Sequence, residues 1–339
     1  MVPDAGRVGE ALLVSTGDGL ACPRGGFFVD PAGAVDVAIV THAHADHARP
    51  GARRYVCAEP GAHILRRRLG PEVTIDAWPY GARRRMGAVE VSLHPAGHVA
   101  GSAQVRVEGA GQTWVVSGDY KREPDPTCAP FEVVPCDTFV SEATFALPIY
   151  RWPPVDAVVA ELDGWIAANR EQGRPSILFA YSLGKAQRVL ALLAGRLQEP
   201  PLVHGAVLSM TEAYRESGVT LPAVEPVLDG SRGAATKGRL VIAPPSAINT
   251  PWLKRFPNAA TAMLSGWMRV RGARRWKGVD RGFVISDHAD WPALLDTIAA
   301  TGCRRVLATH GYTDALVRTC AAAGLSAGVL DAAVRGDEA

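Results

Sequence analysis

Three of the chain's nine histidines and an aspartate crowd into six residues, His42-Ala43-His44-Ala45-Asp46-His47, directly after the apolar run DVAIVT. In a loop, alternate residues can converge on one point, so His42 and His44 can share a metal ion while Asp46 and His47 turn toward a second. Imidazole nitrogens with a carboxylate suit zinc or manganese. A pair of ions needs further ligands, and each candidate follows an apolar run: His98 in PAGHVAGS, Asp119 in VVSGDY and His310 in VLATHGY. Asp119 has two oxygens and can bridge. The set completes two coordination shells with positions left open for water, as a catalytic rather than a structural site requires. Two ions held about 3.5–4 Å apart lower the pKa of a water between them and clamp a phosphate oxygen during in-line displacement. His94, four residues before His98, is set aside as a direct ligand.

A second group of residues could bind phosphate. Tyr181-Ser182-Leu183-Gly184-Lys185 joins an apolar strand to a helix. Ser182, the backbone amides around Gly184, and Lys185 can cradle an anion at that helix start; the competing reading is an N-cap serine beside a solvated lysine. Ser246, in APPSA, is a weaker candidate for the same task. The stretch RVRGARRWKGVDR (269–281) contains Arg271, Arg274 and Arg275 with Trp276 interleaved, a composition that favours phosphate contact. Further arginine clusters stand at 66–68 and 83–85, and for any one cluster a solvated face is the plainer reading. The net charge of +2 does not by itself announce a nucleic-acid binder.

The elements that must position these residues fall into two styles. Up to about residue 145, short runs rich in Val, Ile, Tyr and Trp, broken by Gly and Pro, predict strands. From 151 to 270 the pattern alternates: a helix over 155–170, the strand SILFAY, the helix KAQRVLALLAGRLQ, and the strands RLVIAP and ATAMLSG. Such alternation predicts a parallel α/β unit. After Gly282 come FVISDHAD, a helix over 291–301, the strand RRVLATHG and a helix near 313–323. The expected division is one lobe from 1–150 and 271–339, with an α/β lobe over 151–270.

Composition is that of a soluble globular chain, with 47% hydrophobic and 21% charged residues. No apolar run approaches the roughly 20 residues of a membrane span, and the N-terminus has no signal-peptide pattern, so a cytoplasmic protein is expected. Six scattered cysteines without a C-x-x-C pair predict reduced thiols.

HAHADH, GH98, GD119, Glu142 in SEATF, His288 in SDHAD and His310 together resemble the metallo-β-lactamase superfamily, and within it the β-CASP nuclease branch. SEATFALPIYRWP and AYSLGKAQR further resemble the bacterial DNA-ligase-associated exonucleases of that branch. The resemblance spans nearly the whole chain. It implies an α/β fold, an αββα metallo-β-lactamase sandwich interrupted by a β-CASP-like α/β lobe between Glu142 and His288. It implies that His42, His44 and His98 hold one divalent ion (zinc or manganese) and Asp46, His47 and His310 the other, with Asp119 bridging. Glu142 would orient His288, the candidate general acid for the leaving oxygen. The turn at Ser182–Lys185 would receive a terminal 5′-phosphate. The implied activity is a two-metal, 5′-end-directed DNA exonuclease acting in repair beside a ligase, with DNA as partner and no membrane. The alternative is an RNA-processing ribonuclease, since nothing in the motifs reads the 2′-hydroxyl. A small-ester or lactam hydrolase is disfavoured by the Glu142/His288 pair and the inserted lobe.

Overall fold

The computed structural model describes residues 11–270 and 278–330. Chain order begins with six strands: β1 (Val14–Thr16), β2 (Gly19–Cys22), β3 (Phe27–Val29), β4 (Val37–Ile39), β5 (Arg54–Ala58) and, after helix α1 (Ala62–Leu69), β6 (Ile75–Trp78). They form one sheet in sequence order, antiparallel at the β1 end and parallel from β3 onward. A second sheet starts with β7 (Arg84–Met86), β8 (Val89–Pro95), β9 (Ala103–Gly109), β10 (Gln112–Val116) and β11 (Thr138–Ala143).

The chain then builds a third sheet. Helix α2 (Val155–Glu171) precedes β12 (Ser176–Phe179), α3 (Lys185–Leu192), β13 (Leu202–Val203), α4 (Gly205–Glu216), β14 (Glu225–Pro226), β15 (Leu240–Ala243), β16 (Ala260–Leu264) and β17 (Arg281–Phe283). This sheet is wholly parallel, in the order β14-β13-β15-β12-β16-β17. Its last strand therefore lies beyond residue 270, and FVISDHAD contributes only Phe283 to it. Helix α5 (Trp291–Thr301), strand β18 (Arg305–Gly311), helix α6 (Thr313–Ala322) and β19 (Ser326–Val329) follow. β18 pairs in parallel with β11, so the late chain completes the second sheet.

Alternation explains how the first two sheets meet. In β8 and β9, Val89, Val91, Leu93, Val105 and Val107 are buried to one side, while Glu90 and Arg106 are partly exposed. These valines share one hydrophobic cluster with Leu20, Phe27, Val29, Ile39 and Trp78 of the first sheet. The other side of the second sheet packs Val115, Phe139 and Val306 against Leu294, Ile298 and Leu316 of α5 and α6. The other side of the first sheet, through Ala38, Tyr55 and Cys57, shares a core with α1, with α2–α4, and with Leu178, Ile242 and Leu264 of the third sheet. Burying side chains of this size stabilises each contact by about 1.5–3 kcal/mol per residue.

Two of the sequence expectations need qualification. Helix α1, read as part of a region of strands, carries Arg66, Arg67 and Arg68, and the last two are structural. Arg67 pairs with Glu212 and Glu216 of α4, and Arg68 Nε–H donates to the Ala43 carbonyl within the histidine loop. The helix expected over 185–198 ends at Leu192. All six cysteines are unpaired. Among the described residues no helix is long and apolar enough to cross a membrane.

Candidate metal centre

The histidine loop leaves β4 and is pinned by its alanines: Ala43 and Ala48 are buried in the core between the first and third sheets. The Ala48 amide closes a turn on the His44 carbonyl at 2.8 Å. Around those anchors the side chains His42, His44, Asp46 and His47 turn toward the edge where β10, β11 and β18 end. Asp119 arrives just after β10. It follows Gly118, whose φ of +57° and whose approach to Thr41 (2.7 Å to a Cβ built on the glycine) leave no room for a side chain.

Three nitrogens meet at one point. His42 Nε2 and His98 Nε2 lie 3.0 and 3.1 Å from His44 Nδ1, and Asp119 Oδ2 is 3.5 and 3.7 Å from the two Nε2 atoms. Each ring is oriented from behind. His44 Nε2–H donates to the Leu183 carbonyl at 3.1 Å, His98 Nδ1–H donates to the Asp287 carbonyl at 2.8 Å, and His42 Nδ1 faces Thr41 Oγ1 at 3.1 Å. Those partners assign the tautomers so that the inward nitrogens carry lone pairs. Burial holds His42 and His98 well below the ordinary imidazole pKa and takes His44 down to about 4. Three unprotonated nitrogens cannot hydrogen-bond to one another. The arrangement is satisfied by a cation.

The second half of the site is built around His47. Its Nε2 is buried with no hydrogen-bond partner, 3.6 Å from both Asp46 Oδ2 and Asp119 Oδ2. Behind it, Nδ1 meets Asp30 Oδ2 at 2.7 Å, and Asp30 is itself held by the Thr41 amide and hydroxyl. Burial would lower the His47 pKa, but Asp119 and Asp30 raise it to about 10. Burial also opposes ionisation of Asp46, yet His47 and His44 keep its pKa below the usual carboxylate value. A carboxylate field that draws a proton onto an imidazole, together with an orphaned nitrogen aimed into it, is a donor set that fits a divalent ion. His310 contacts His47 ring to ring, with centroids 5.2 Å apart. It occupies a bulge: β11 and β18 pair Glu142 with Thr309 and then Ala143 with Gly311, so His310 is the extra residue, with φ +56°.

Glu142, at the end of β11, is buried and fully occupied. Oε1 accepts the Tyr120 amide at 2.7 Å, and Oε2 accepts the Thr144 hydroxyl and lies 2.8 Å from His288 Nδ1. Burial lowers the His288 pKa, but Glu142, by its charge and its hydrogen bond, and Asp119 raise it, and the balance takes the imidazole up to about 9. The His288 ring lies 4.7 Å from that of His98. Trp152 Nε1–H donates to the His288 carbonyl at 2.9 Å. Beside it opens a cleft of about 270 Å³ lined by Arg122, Trp152, Pro153 and Ala293 among others. Asp119, Glu142 and His288 also form a compact trio, which the filled hydrogen bonds of Glu142 make a carboxylate–imidazole pair rather than a third ion site.

The remaining candidates scatter. Gly184 packs on Val99 and near His44, so the 181–185 turn does abut the centre. Its amide, however, donates to Gln187 Oε1, and Lys185 is buried against Asp287 at 3.0 Å. Ser182 is half-buried and Ser246 exposed, each following the C-terminal end of one of the adjacent strands β12 and β15. Arg271, Arg274 and Arg275 lie outside the described residues. His94 stays apart, bonded to Ser92 and Glu132. Asp30 and Asp287 escaped the sequence reading. The signal for Asp30 was slight: a carboxylate directly after the apolar FFV, 17 residues from its histidine.

No family model matches the chain. It is 31% identical over 311 residues to a probable DNA ligase of Opitutus terrae, a match covering 91% of this chain and 30% of that protein. It is 30% identical over 215 residues to a ribonuclease of Thermus thermophilus, covering 52% and 48%; further relatives carry ribonuclease names as well. The chain thus spans 30% and 48% of the length of these first relatives. A solved protein of unknown function from Enterococcus faecalis shares the fold, with a TM-score of 0.54 at 13% identity over 88% of this chain and 80% of that one. Likeness to proteins named for cutting RNA and for joining DNA, carried on a chain with this histidine and aspartate cluster, supports the resemblance to the β-CASP branch of the metallo-β-lactamase superfamily.

Proposed function

We propose that the chain is a metal-dependent phosphodiesterase that removes nucleotides from DNA ends, 5′-end directed, in company with a ligase. The observation that carries the chemistry is the meeting of His42, His44, His98 and Asp119 beside the orphaned Nε2 of His47. His42, His44 and His98 would hold one ion and Asp46, His47 and His310 a second, with Asp119 shared; the donors suit zinc or manganese. Bound divalent ions supply Lewis-acid polarisation of the phosphate and a water of lowered pKa. The chain's own contribution is orientation and proton supply. Glu142 holds His288 by Nδ1, leaving the Nε2–H of the imidazolium to protonate the leaving oxygen. Ser182 and Ser246, after neighbouring parallel strands, are the hydroxyls suited to a terminal phosphate, since ligands of open parallel sheets bind at the carboxyl ends of strands. The architecture we infer is an αββα sandwich from both chain ends, interrupted from about residue 151 through β17 by the α/β lobe.

The DNA assignment draws on the match of 91% of this chain to less than a third of a protein named as a ligase, an arrangement that would place end trimming next to end joining. A second reading, RNA cleavage, draws on the relatives named as ribonucleases. One experiment separates them. Purified, ion-loaded protein is offered matched single-stranded DNA and RNA, each with and without a 5′-phosphate, with Asp46→Ala as control. Stepwise shortening of phosphorylated DNA with RNA spared is the expected result. Internal cuts or preference for RNA would move the protein to RNA processing, and full activity in Asp46→Ala would sink the ligand assignment.

A further inference from the structure

Three cations and three acids are buried together where α3 meets the loops at 121–125 and 286–288. Lys185, the first residue of α3, pairs with Asp287 at 3.0 Å. Arg188, one turn further on, reaches Glu123 at 2.9 Å, Asp125 at 3.1 Å and Asp287 at 3.7 Å, and its guanidinium donates to the Ser286 carbonyl. Lys121 lies 3.4 Å from Glu123 and 3.8 Å from Asp125. Of the six side chains only Glu123 has appreciable exposure, at 36%; the others are at 5% or less. An apolar contact of the same volume would join these elements at least as strongly. What paired charges add is direction.

The direction is felt at Asp287. Its side chain belongs to the α3 network, while its backbone carbonyl accepts Nδ1–H of His98, which leaves His98 Nε2 facing His44 and Asp119. The next residue in the chain is His288. Any shift of Asp287 therefore moves one histidine of the metal centre and the proton donor together. Lys185 Nζ also sits 4.9 Å from the Tyr181 ring, so its ammonium is enclosed on a second side.

We propose that Lys185 is a positioning residue, acting through Asp287 to set His98 and His288, and that it is not a phosphate ligand. The proposal rests on the metal-dependent reading above. Its test is ion affinity by competition with a chromogenic zinc chelator, joined to steady-state cleavage of 5′-phosphorylated and 5′-hydroxyl DNA. Lys185→Met removes the cation. The double variant Lys185→Met with Asp287→Asn removes both charges and leaves no unpaired buried carboxylate, and Lys185→Arg restores a cation. Both methionine variants should bind zinc about tenfold more weakly, as when a support behind a ligand is removed. Their kcat should fall with KM unchanged, the preference between the two DNA ends should not alter, and Lys185→Arg should recover most of both losses. Wild-type zinc affinity in the folded methionine variants, or a KM rise confined to phosphorylated ends, would overturn the proposal while leaving the metal reading intact. A wild-type chain that binds no zinc would remove that reading and this one with it.

Discussion

His42 and His98 face the centre through Nε2 and His44 through Nδ1, and in each case the opposite nitrogen is committed: to Thr41, to the Asp287 carbonyl and to the Leu183 carbonyl. Asp30 does the same for His47, as a carboxylate rather than a carbonyl, and so adds negative charge as well as orientation. Asp30→Asn should therefore weaken ion binding by about 10–100-fold while leaving the fold intact; chelator competition with circular dichroism as the fold control checks this, and unchanged affinity would reduce Asp30 to a loop anchor. Glu142 acts on a different group. Replacing it by Gln keeps the shape but withdraws the charge that favours the imidazolium of His288. Glu142→Gln should lower kcat by about 10²–10⁴-fold with the bound-metal content unchanged. If metal content falls in step with rate, Glu142 serves the ions instead.

Among the elements, the parallel trio β10-β11-β18 does most of the placing. Asp119 follows β10, Glu142 ends β11 and His310 sits in the bulge of β18, so three residues far apart in sequence leave neighbouring strands at one edge. The bulge depends on Gly311. A Cβ there would stand 2.5 Å from the Ala143 carbonyl oxygen and from Thr144 Cα, both rigid backbone, at a φ of +71°. Gly311→Ala should cost at least about 1–2 kcal/mol from the left-handed conformation alone, with a further loss of cleavage as His310 is displaced. Chemical denaturation measures the first, and a variant as stable as the wild type would show that the bulge is not held as described. The histidine loop is anchored by elements too: Arg68 of α1 holds the Ala43 carbonyl, and α1 is clamped to α4 through Arg67.

For the whole molecule, the centre lies where all three sheets contribute. His44 reaches the third sheet's turn at Leu183, 139 residues away, and His98 reaches Asp287, 189 residues away. Ions bound there would cross-link those parts of the folded chain and would have no such site in the unfolded one. Removing them with a chelator should abolish cleavage and lower the melting temperature, and zinc or manganese should restore both; an ion held at a hundred times its Kd stabilises by about 2.7 kcal/mol. A melting temperature indifferent to chelator would argue against ions at the interface of the sheets.

The sequence by itself determined the donor types and their setting. HAHADH after an apolar run, and single His or Asp residues at the ends of other apolar runs, are legible because a buried strand must end in polar residues where it surfaces, and chemistry is mounted there. Much of the alternation in 155–264 is legible for the same local reason, periodicity, and α2 and α5 run within a residue of their expected limits, but helix α4 with the short strands β13 and β14 escaped the sequence reading. What only the tertiary structure decided is pairing. A lysine at a helix start reads as a phosphate ligand or as a solvated side chain; in this fold Lys185 is buried and paired with Asp287. Arg67 and Arg68 read as a solvated face until α4 and the Ala43 carbonyl come within reach. Asp30 carries only a slight local mark, its place after the apolar FFV, and nothing local ties it to His47 or Asp287 to Lys185. The partner of a charge is fixed by distance in space, and no period or spacing along the chain encodes contacts that close over 100 residues or more.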